Sequence, residues 1–411
     1  MSTPILKRDV ADEIETFLRT DEIIVIHGAR QVGKTSIMMY LQSRLDSQGE
    51  KTHYIDLEDS RFLRIVDQGV DEFLLHLKEQ GFDLASFQDS GKKLFVLIDE
   101  IQYMENPSSF LKLLVDHHRY LKVIVSGSSS FEIKSKFKNS LAGRTVNFEI
   151  HPLSFLEFLR FREVPFEYSE RYTEKKINEL QSLYREFALY GGYPKIVLTA
   201  EVSSKERYLQ QIVDTYIRKD IRDLAEIKDI HKFNRLLEAL ASQSGNLVNV
   251  SELSNTCGLN SETVQRYLFL LEQTYILRLV KPYSRNIRSE ITKTPKVFFY
   301  DTGLMQLLWL KRLPQELLGA VYETSIFSEL VKRYGIQFVH YWRTTDKQEI
   351  DFVVNLPTEL RAYEAKSQFP RGNPSVFSAF QNSYPAAQVR LVGLNGESAS
   401  PDMIHPWSLF R

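Results

Sequence analysis

The chain of 411 residues is 43% hydrophobic and 26% charged, an ordinary globular composition for roughly two to four domains. A net charge of -1 excludes a general basic field for nucleic acid, so any such surface must be local. The single cysteine, Cys257, excludes an intramolecular disulfide and a cysteine-rich zinc site. The N-terminus has no signal-peptide pattern, and no apolar run approaches the ~20 residues of a membrane span. We therefore expect a cytoplasmic protein with no membrane partner.

The first 150 residues alternate short apolar runs with helix-compatible stretches. Residues 23–26, 94–98 and 123–125 are continuous apolar runs, and residues 54–57 form a weaker one. Runs of this kind are typical of parallel strands that are covered on both faces. The pattern predicts an α/β domain over residues 1–150, built on a doubly wound parallel sheet.

Residues 28–35 read Gly-Ala-Arg-Gln-Val-Gly-Lys-Thr, the spacing of a P-loop between a strand and a helix. Its glycines let backbone N–H groups approach phosphate oxygens, and the helix N-terminus adds a positive dipole end. Lys34 is expected to reach the β- and γ-phosphates, and Thr35 to bind Mg²⁺. The predicted nucleotide-binding residues are Gly28, Ala29, Arg30, Gln31, Val32, Gly33, Lys34, Thr35 and Ser36.

Two later strands end in polar residues that complete this site. The run at 94–98 leads into Asp99 and Glu100, which we expect to hold Mg²⁺ and to polarise the attacking water. The run at 123–125 leads into Ser126 and, two residues on, Ser128. Either serine is a candidate sensor of the γ-phosphate, and the alternative is a plain strand-end turn.

These motifs together resemble the AAA+ ATPases, specifically prokaryotic AAA-type ATPases with a C-terminal domain of poorly defined function. The matching stretches are residues 28–35, 57–59, 97–102, 126–129, 141–144, 151–158 and 191–194. The resemblance implies an ATPase that uses ATP and Mg²⁺, and a homo-oligomer such as a hexameric ring.

The same resemblance assigns roles to two further residues. Arg144 lies where AAA+ proteins carry an arginine finger that acts on the neighbouring subunit's nucleotide; the alternative is a surface arginine. Pro194 ends a Gly-Gly-Tyr-Pro stretch that resembles a lid turn beside the nucleotide base, or is only a turn. Residues 151–230 are accordingly expected to form a helical lid.

Residues 231–305 are expected to form a winged helix-turn-helix. Helices are predicted from Leu236 and from Val250, with Ser251 as a candidate N-cap, and a third over residues 262–273 precedes two wing strands. Residues 261–300 contain seven Lys or Arg against three Glu, a local basic excess. The alternative is a winged helix that binds protein or is structural. The basic residues are Arg266, Arg278, Lys281, Arg285, Arg288, Lys293 and Lys296.

Residues 306–411 resemble an α/β restriction-endonuclease-like domain. Asp351 lies in a strand-like run, and Glu364 and Lys366 share a face of the next one. The acids would hold Mg²⁺ and the lysine would assist the attacking hydroxide. Glu323 is a candidate third acid, with Glu329 as its rival, while an ordinary salt-bridged surface is the alternative. A loop at 370–374 is predicted to separate the last strands from a final helical piece.

Three functions follow from these expectations. The leading one is an ATP-hydrolysing motor or switch that acts on nucleic acid, with DNA as the expected partner, in repair, recombination, branch migration or defence. The second is a protein-directed regulatory ATPase with an inactive nuclease-like platform. The third is an ATP-gated DNA nuclease. DNA stimulation of ATP turnover with a steep salt dependence would separate the first from the second.

Overall fold

The computed structural model describes residues 5–127, 141–169, 171–215, 227, 229–284, 294–372, 374–398 and 400–409. The chain divides into two compact units, Met1–His151 and Pro152–Arg411. The finer division of the second unit into a lid, a winged helix and a nuclease-like domain stays a prediction.

Strands and helices alternate along the first unit. Its strands are β1 (Ile23–Gly28), β2 (Lys51–Asp56), β3 (Leu94–Asp99), β4 (Leu121–Gly127) and β5 (Thr145–Ile150). Its helices are α1 (Val10–Thr16), α2 (Lys34–Ser47), α3 (Ser60–Gln68), α4 (Val70–Glu79), α5 (Leu84–Ser90) and α6 (Pro107–His117). Residues 101–103 form a short 3₁₀ turn directly after β3.

The five strands form one sheet in the order β2-β3-β4-β1-β5, and every adjacent pair is parallel. Every residue of β3 and β4 is buried, which explains the continuous apolar runs at 94–98 and 123–125 within them. The predicted parallel α/β sheet is therefore confirmed. Because the chain leaves parallel strands at the same edge, the ends of β1, β3 and β4 bring their loops together.

The second unit begins with helices. These are α7 (Phe155–Phe161), α8 (Glu174–Tyr190), α9 (Pro194–Val197), α10 (Val202–Ile212), α11 (Ile230–Ser242), α12 (Val250–Cys257) and α13 (Ser261–Gln273). An antiparallel hairpin follows, made of β6 (Leu277–Val280) and β7 (Lys296–Phe299).

The remainder combines helices with a second sheet. The helices are α14 (Thr302–Leu310), α15 (Gly319–Tyr334) and α16 (Ser375–Ser383). The strands are β8 (Val339–Arg343), β9 (Glu349–Asn355), β10 (Leu360–Gln368), β11 (Gln388–Asn395) and β12 (Met403–Ile404). They lie in the order β12-β11-β10-β9-β8, parallel from β10 to β12 and antiparallel from β8 to β10.

Two sequence-based expectations about these elements are wrong. The loop at 370–374 does not end the sheet, because β11 and β12 follow α16. Helix α12 is capped by Asn249, whose side chain accepts hydrogen bonds from the backbone N–H groups of Ser251 and Glu252; Ser251 is therefore not the cap.

Among the helices of the described ranges, none combines the length and the apolarity that crossing a bilayer requires.

Candidate functional site

The P-loop connects the end of β1 to the start of α2. Gly33 takes a left-handed conformation, with φ 97° and ψ 26°, which only glycine adopts without cost. Gly28 lies so close to β5 that an added Cβ would collide with the carbonyl oxygen of Ile150. Both glycines of the motif are therefore required by the backbone path, and α2 begins directly behind the loop.

Lys34 is buried inside this loop. Its ammonium group donates hydrogen bonds to the carbonyl oxygens of Ala29, at 2.9 Å, and of Gly28, at 3.3 Å. A buried lysine head hydrogen-bonded to the first carbonyls of a P-loop is positioned to meet an anionic ligand. A triphosphate offers it stronger, charged acceptors than neutral carbonyls do.

Asp99 connects three neighbouring elements at the carboxyl edge of the sheet. Its Oδ2 accepts hydrogen bonds from Thr35 Oγ1 at 2.7 Å and from the Tyr54 hydroxyl at 2.9 Å. Its Oδ1 accepts one from Ser126 Oγ. The side chains predicted to bind Mg²⁺, Thr35 and Asp99, are thus in direct contact, and hard oxygens of this kind suit that ion.

Glu100 follows Asp99 in a left-handed conformation with φ 55°, which is uncommon outside glycine. Its backbone N–H points to Asp99 Oδ1 at 3.1 Å and Ser126 Oγ at 3.3 Å, and Gln102 donates to its carboxylate. Burial raises the pKa of Glu100 above its ordinary value, although the nearby Lys34 acts against that rise. A carboxylate beside the P-loop with a raised pKa has the character of a general base.

The other residues predicted to contact the nucleotide differ in their exposure along the loop. Ala29 and Val32 are buried, Arg30 is half-buried, and Gln31 and Ser36 are exposed, with Gln31 at φ 63°. Ser126 is completely buried against Asp99, and Ser128 lies outside the described residues, so the choice between the two serines stays a prediction.

Pro194 belongs to the second unit, where it begins α9. One of the two glycines of its motif has a local explanation. Gly192 donates its N–H to the buried Asp301 carboxylate at 2.7 Å, and a Cβ on it would strike Leu153. The Gly-Gly-Tyr-Pro stretch is therefore a tight packing turn, and a base contact by Pro194 stays a prediction.

Arg144 lies at the amino-terminal end of the strands, opposite to the end that carries the P-loop. It directly precedes β5, whose first residue Thr145 is paired with Ile23, while Ile150 is paired with Gly28 at the P-loop end. At about 3.3 Å per strand residue over six residues, the Arg144 backbone is roughly 20 Å from the loop. Its guanidinium forms a two-point ion pair with Asp116 at 2.8 and 3.1 Å.

A second polar cluster lies in the second unit, on β9, β10 and α15. The Asp351 carboxylate accepts the backbone N–H of Ala365 at 2.9 Å, and Lys366 forms an ion pair with Glu364 at 2.8 Å. Burial, followed by the charge of Asp351, raises the pKa of Glu323 to about 8 and that of Glu364 to about 7. The predicted residues of the nuclease-like motif are thus neighbours.

The rival acid, Glu329, lies apart from this cluster. It is completely buried and accepts hydrogen bonds from the Phe155 N–H at 2.9 Å and from Lys332 at 3.0 Å. Of the two candidates, Glu323 is the one beside Asp351. Within the described ranges, no group of three His, Cys, Asp or Glu side chains is arranged to hold a metal ion.

Sequence reasoning missed the role of Lys296 in this cluster. The sequence places Lys296 in the local basic excess of residues 261–300, but it is buried on β7 and pairs with Glu349 at 2.6 Å and Glu323 at 3.6 Å. Its position directly before the apolar run at 297–300 was the available signal. Arg278 also forms an ion pair, with Glu272 at 3.4 Å.

The remaining basic residues of the 261–300 segment divide into two groups. Arg266 and Lys281 are exposed, whereas Arg285, Arg288 and Lys293 lie outside the described residues. The basic surface that the described residues present is therefore smaller than the sequence count suggested.

Three family models match successive parts of the chain. A model described as an AAA domain matches residues 20–159. Two models described as domains of unknown function, DUF8612 and DUF4143, match residues 181–316 and 318–406.

Relatives match over most of the chain. An uncharacterized protein of Haemophilus influenzae is 29% identical, over 90% of this chain and 89% of its own. An uncharacterized protein of Methanocaldococcus jannaschii is 26% identical, over 83% of this chain and 74% of its own.

Among solved structures, the chain is similar to a Walker-type ATPase of Pyrococcus abyssi, with a TM-score of 0.48 and 16% identity over 74% of this chain and 96% of that one. It is also similar to DnaA of Aquifex aeolicus bound to AMPPCP, with a TM-score of 0.29 and 15% identity over 65% and 87% of the two chains. The family-model match supports an ATPase of the AAA+ type for residues 20–159.

Proposed function

We propose that this protein is an ATP-hydrolysing AAA+ motor or switch that acts on nucleic acid, with DNA as its partner. One observation carries the ATPase part. Thr35 from the P-loop helix and Ser126 from β4 both donate hydrogen bonds to Asp99 at the end of β3. Three separate elements thereby meet beside the buried Lys34, as a triphosphate site requires.

Each residue of the site has a distinct task in hydrolysis. Lys34 exchanges its loop carbonyls for phosphate oxygens, and Gly33 and Lys34 offer backbone N–H groups at the helix start. Thr35 and Asp99 would hold Mg²⁺, which supplies charge neutralisation when bound. Glu100 orients and polarises the attacking water, and Ser126 keeps Asp99 in position.

We further propose that Arg144 acts on the nucleotide of a neighbouring copy in a homo-oligomer, such as a hexameric ring. The roughly 20 Å between its backbone and its own P-loop, which follows from the strand rise, excludes direct contact within one subunit. Asp116 holds the guanidinium in a fixed geometry, and an arginine fork suits a transferring phosphoryl group.

DNA as the partner is supported by the winged helix-turn-helix that we assign to residues 231–305. Helix α13, the assigned recognition helix, exposes Arg266 and leaves Phe269 with half of its surface open to solvent. A cation and an exposed ring on one helix suit phosphate and base contacts. The same two side chains also suit a protein partner, which would make this a protein-directed regulatory ATPase.

ATP turnover separates these two partners. It should be measured with single-stranded, duplex and junction DNA over a range of salt concentrations. If the protein acts on nucleic acid, DNA stimulates ATP turnover, and this stimulation falls steeply with salt. Arg266→Ala weakens the stimulation, whereas the exposed control Arg312→Ala leaves it unchanged. Turnover that no DNA changes would contradict the DNA proposal and leave the protein-directed ATPase.

A second candidate, an ATP-gated DNA nuclease, is favoured by the proximity of Asp351, Glu323 and Glu364 to Lys366. Asp351 and Glu364 would hold Mg²⁺, which would supply positive charge beside the attacking water, and Lys366 would stabilise the hydroxide. DNA cutting that depends on Mg²⁺ and ATP would support this nuclease. Asp351→Ala should abolish the cutting, and the exposed control Asp346→Ala should retain it. Wild-type protein that cuts no DNA would remove it.

A further inference from the structure

Arg8 lies just ahead of α1 and is only 7% exposed, an unusual state for an arginine. Its Nη1 donates a hydrogen bond to the carbonyl oxygen of Val32 at 2.7 Å. Its Nη2 donates another to the carbonyl oxygen of His151 at 2.9 Å. One buried guanidinium therefore connects the P-loop to the residue that follows β5.

The bond to Val32 has a consequence for the next amide. In a planar trans peptide, the C=O of one residue and the N–H of the next point in opposite directions. Holding the Val32 carbonyl on the Arg8 side therefore directs the Gly33 N–H to the opposite side of the loop. Gly33 is left-handed and has no Cβ, so without such an anchor its peptide could adopt other orientations.

We infer that Arg8 is a positioning residue, which fixes the Val32–Gly33 peptide so that the Gly33 N–H faces the phosphates before nucleotide arrives. This inference rests on the proposed ATPase function. Donors that are oriented in advance pay no reorganisation cost when the anion binds. The bond to His151 holds the guanidinium in place, since Ile150 beside it already packs on Gly28.

Arginine suits this task better than lysine does. The planar guanidinium presents several N–H groups in a rigid fork and can serve two carbonyls at once. A lysine at this position keeps the charge but offers a flexible, compact head. We therefore expect Arg8→Lys to restore part of what Arg8→Met removes.

The test measures affinity and the amide itself. The dissociation constant of a fluorescent ATP analogue with Mg²⁺ is determined for wild type, Arg8→Met, Arg8→Lys and Lys7→Met. Lys7 is the matched control because it is the neighbouring cation, and it pairs with Asp12 on the surface. In addition, ¹⁵N-glycine labelling follows the Gly33 N–H signal as Mg²⁺-ADP is added.

We expect Arg8→Met to weaken nucleotide binding about tenfold, as loss of a charged hydrogen bond implies, and Arg8→Lys to lie between it and wild type. The nucleotide-induced shift of the Gly33 signal should shrink in both variants and stay normal in Lys7→Met. If Arg8→Met does not fold, the Arg8→Lys result alone decides.

An unchanged nucleotide affinity together with an unchanged Gly33 shift in Arg8→Lys would overturn the inference about Arg8 and nothing else. Wild-type protein that binds no nucleotide would overturn the ATPase proposal as well.

Discussion

Thr35 Oγ1 donates a hydrogen bond to Asp99 Oδ2 over 2.7 Å, joining the first turn of α2 to the end of β3. The two residues are 64 positions apart in the sequence. The contact depends on β3 and β1 leaving the sheet at the same edge. Two oxygen atoms that suit Mg²⁺ are thereby held together before any ion binds.

Removing the Thr35 hydroxyl should weaken metal use specifically. In Thr35→Ala, one of the two paired oxygens is lost, so we expect the Mg²⁺ concentration for half-maximal ATP turnover to rise about tenfold or more. Magnesium titration of turnover checks this. Ser47→Ala, at the exposed end of the same helix, is the control and should titrate as wild type does. An unchanged magnesium dependence in Thr35→Ala would count against the assignment.

Glu100→Gln should separate binding from chemistry. The glutamine keeps the shape and the neighbours of Glu100 but cannot polarise water, so we expect nucleotide affinity to persist while turnover falls by about 10²- to 10³-fold. Affinity and steady-state turnover measured on one preparation check this. Glu105→Gln, an exposed change nearby, should leave both quantities intact. Normal turnover in Glu100→Gln would exclude Glu100 as the base.

Arg144 should act across a subunit boundary. We expect Arg144→Ala to lose about 10³-fold in turnover, the scale of an arginine finger, with its own nucleotide binding retained. Mixing Arg144→Ala with Lys34→Ala should restore partial activity, because each subunit supplies what its neighbour lacks. Arg119→Ala, another exposed arginine near Asp116, serves as control. A mixture no more active than its two components would contradict the trans arrangement.

His53 should make the first unit sensitive to acid. Its Nε2 lies 3.2 Å from that of His76, and burial lowers the pKa of His53 from 6.5 to about 4. The folded state therefore binds fewer protons than the unfolded state between these values. The stability that the neutral ring contributes is complete above pH 6.5 and is lost as pH falls towards 4.

The unfolding midpoint at pH 7.5 and pH 5 tests this dependence. We expect His53→Gln to lose less stability on acidification than wild type does, by a difference on the order of 1 kcal/mol. The exposed His117→Gln should lose as much as wild type. Equal acid losses in wild type and His53→Gln would show that the histidine pair has no such effect.

Most of the fold and the nucleotide site of the first unit could be predicted from the sequence, because short local patterns specify them. Continuous apolar runs gave β3 and β4, and the spacing of Gly28, Gly33 and Lys34 predicted the loop between a strand and a helix. The contact between Thr35 and Asp99 was implied by the motif chemistry. Glu100 in its left-handed conformation was not, since a glutamate carries no local signal for positive φ.

The roles of polar residues in the second unit were harder to predict from the sequence, because these residues act through tertiary contacts. Lys296 looked like a surface cation, but folding buries it between Glu323 and Glu349. Asn249 and Ser251 are both good N-cap residues, so sequence alone could not decide between them. In the first unit, the role of Arg8 was likewise missed, because its partners Val32 and His151 are distant in the chain.

The most direct test of the account is equilibrium binding of a fluorescent ATP analogue to wild-type protein and to Lys34→Ala, with and without magnesium. We predict binding by wild type that strengthens with magnesium, and a loss of at least about tenfold in Lys34→Ala with an unchanged circular dichroism spectrum. Wild-type protein that binds no nucleotide in magnesium, or a Lys34→Ala variant that binds it equally well, would contradict the account.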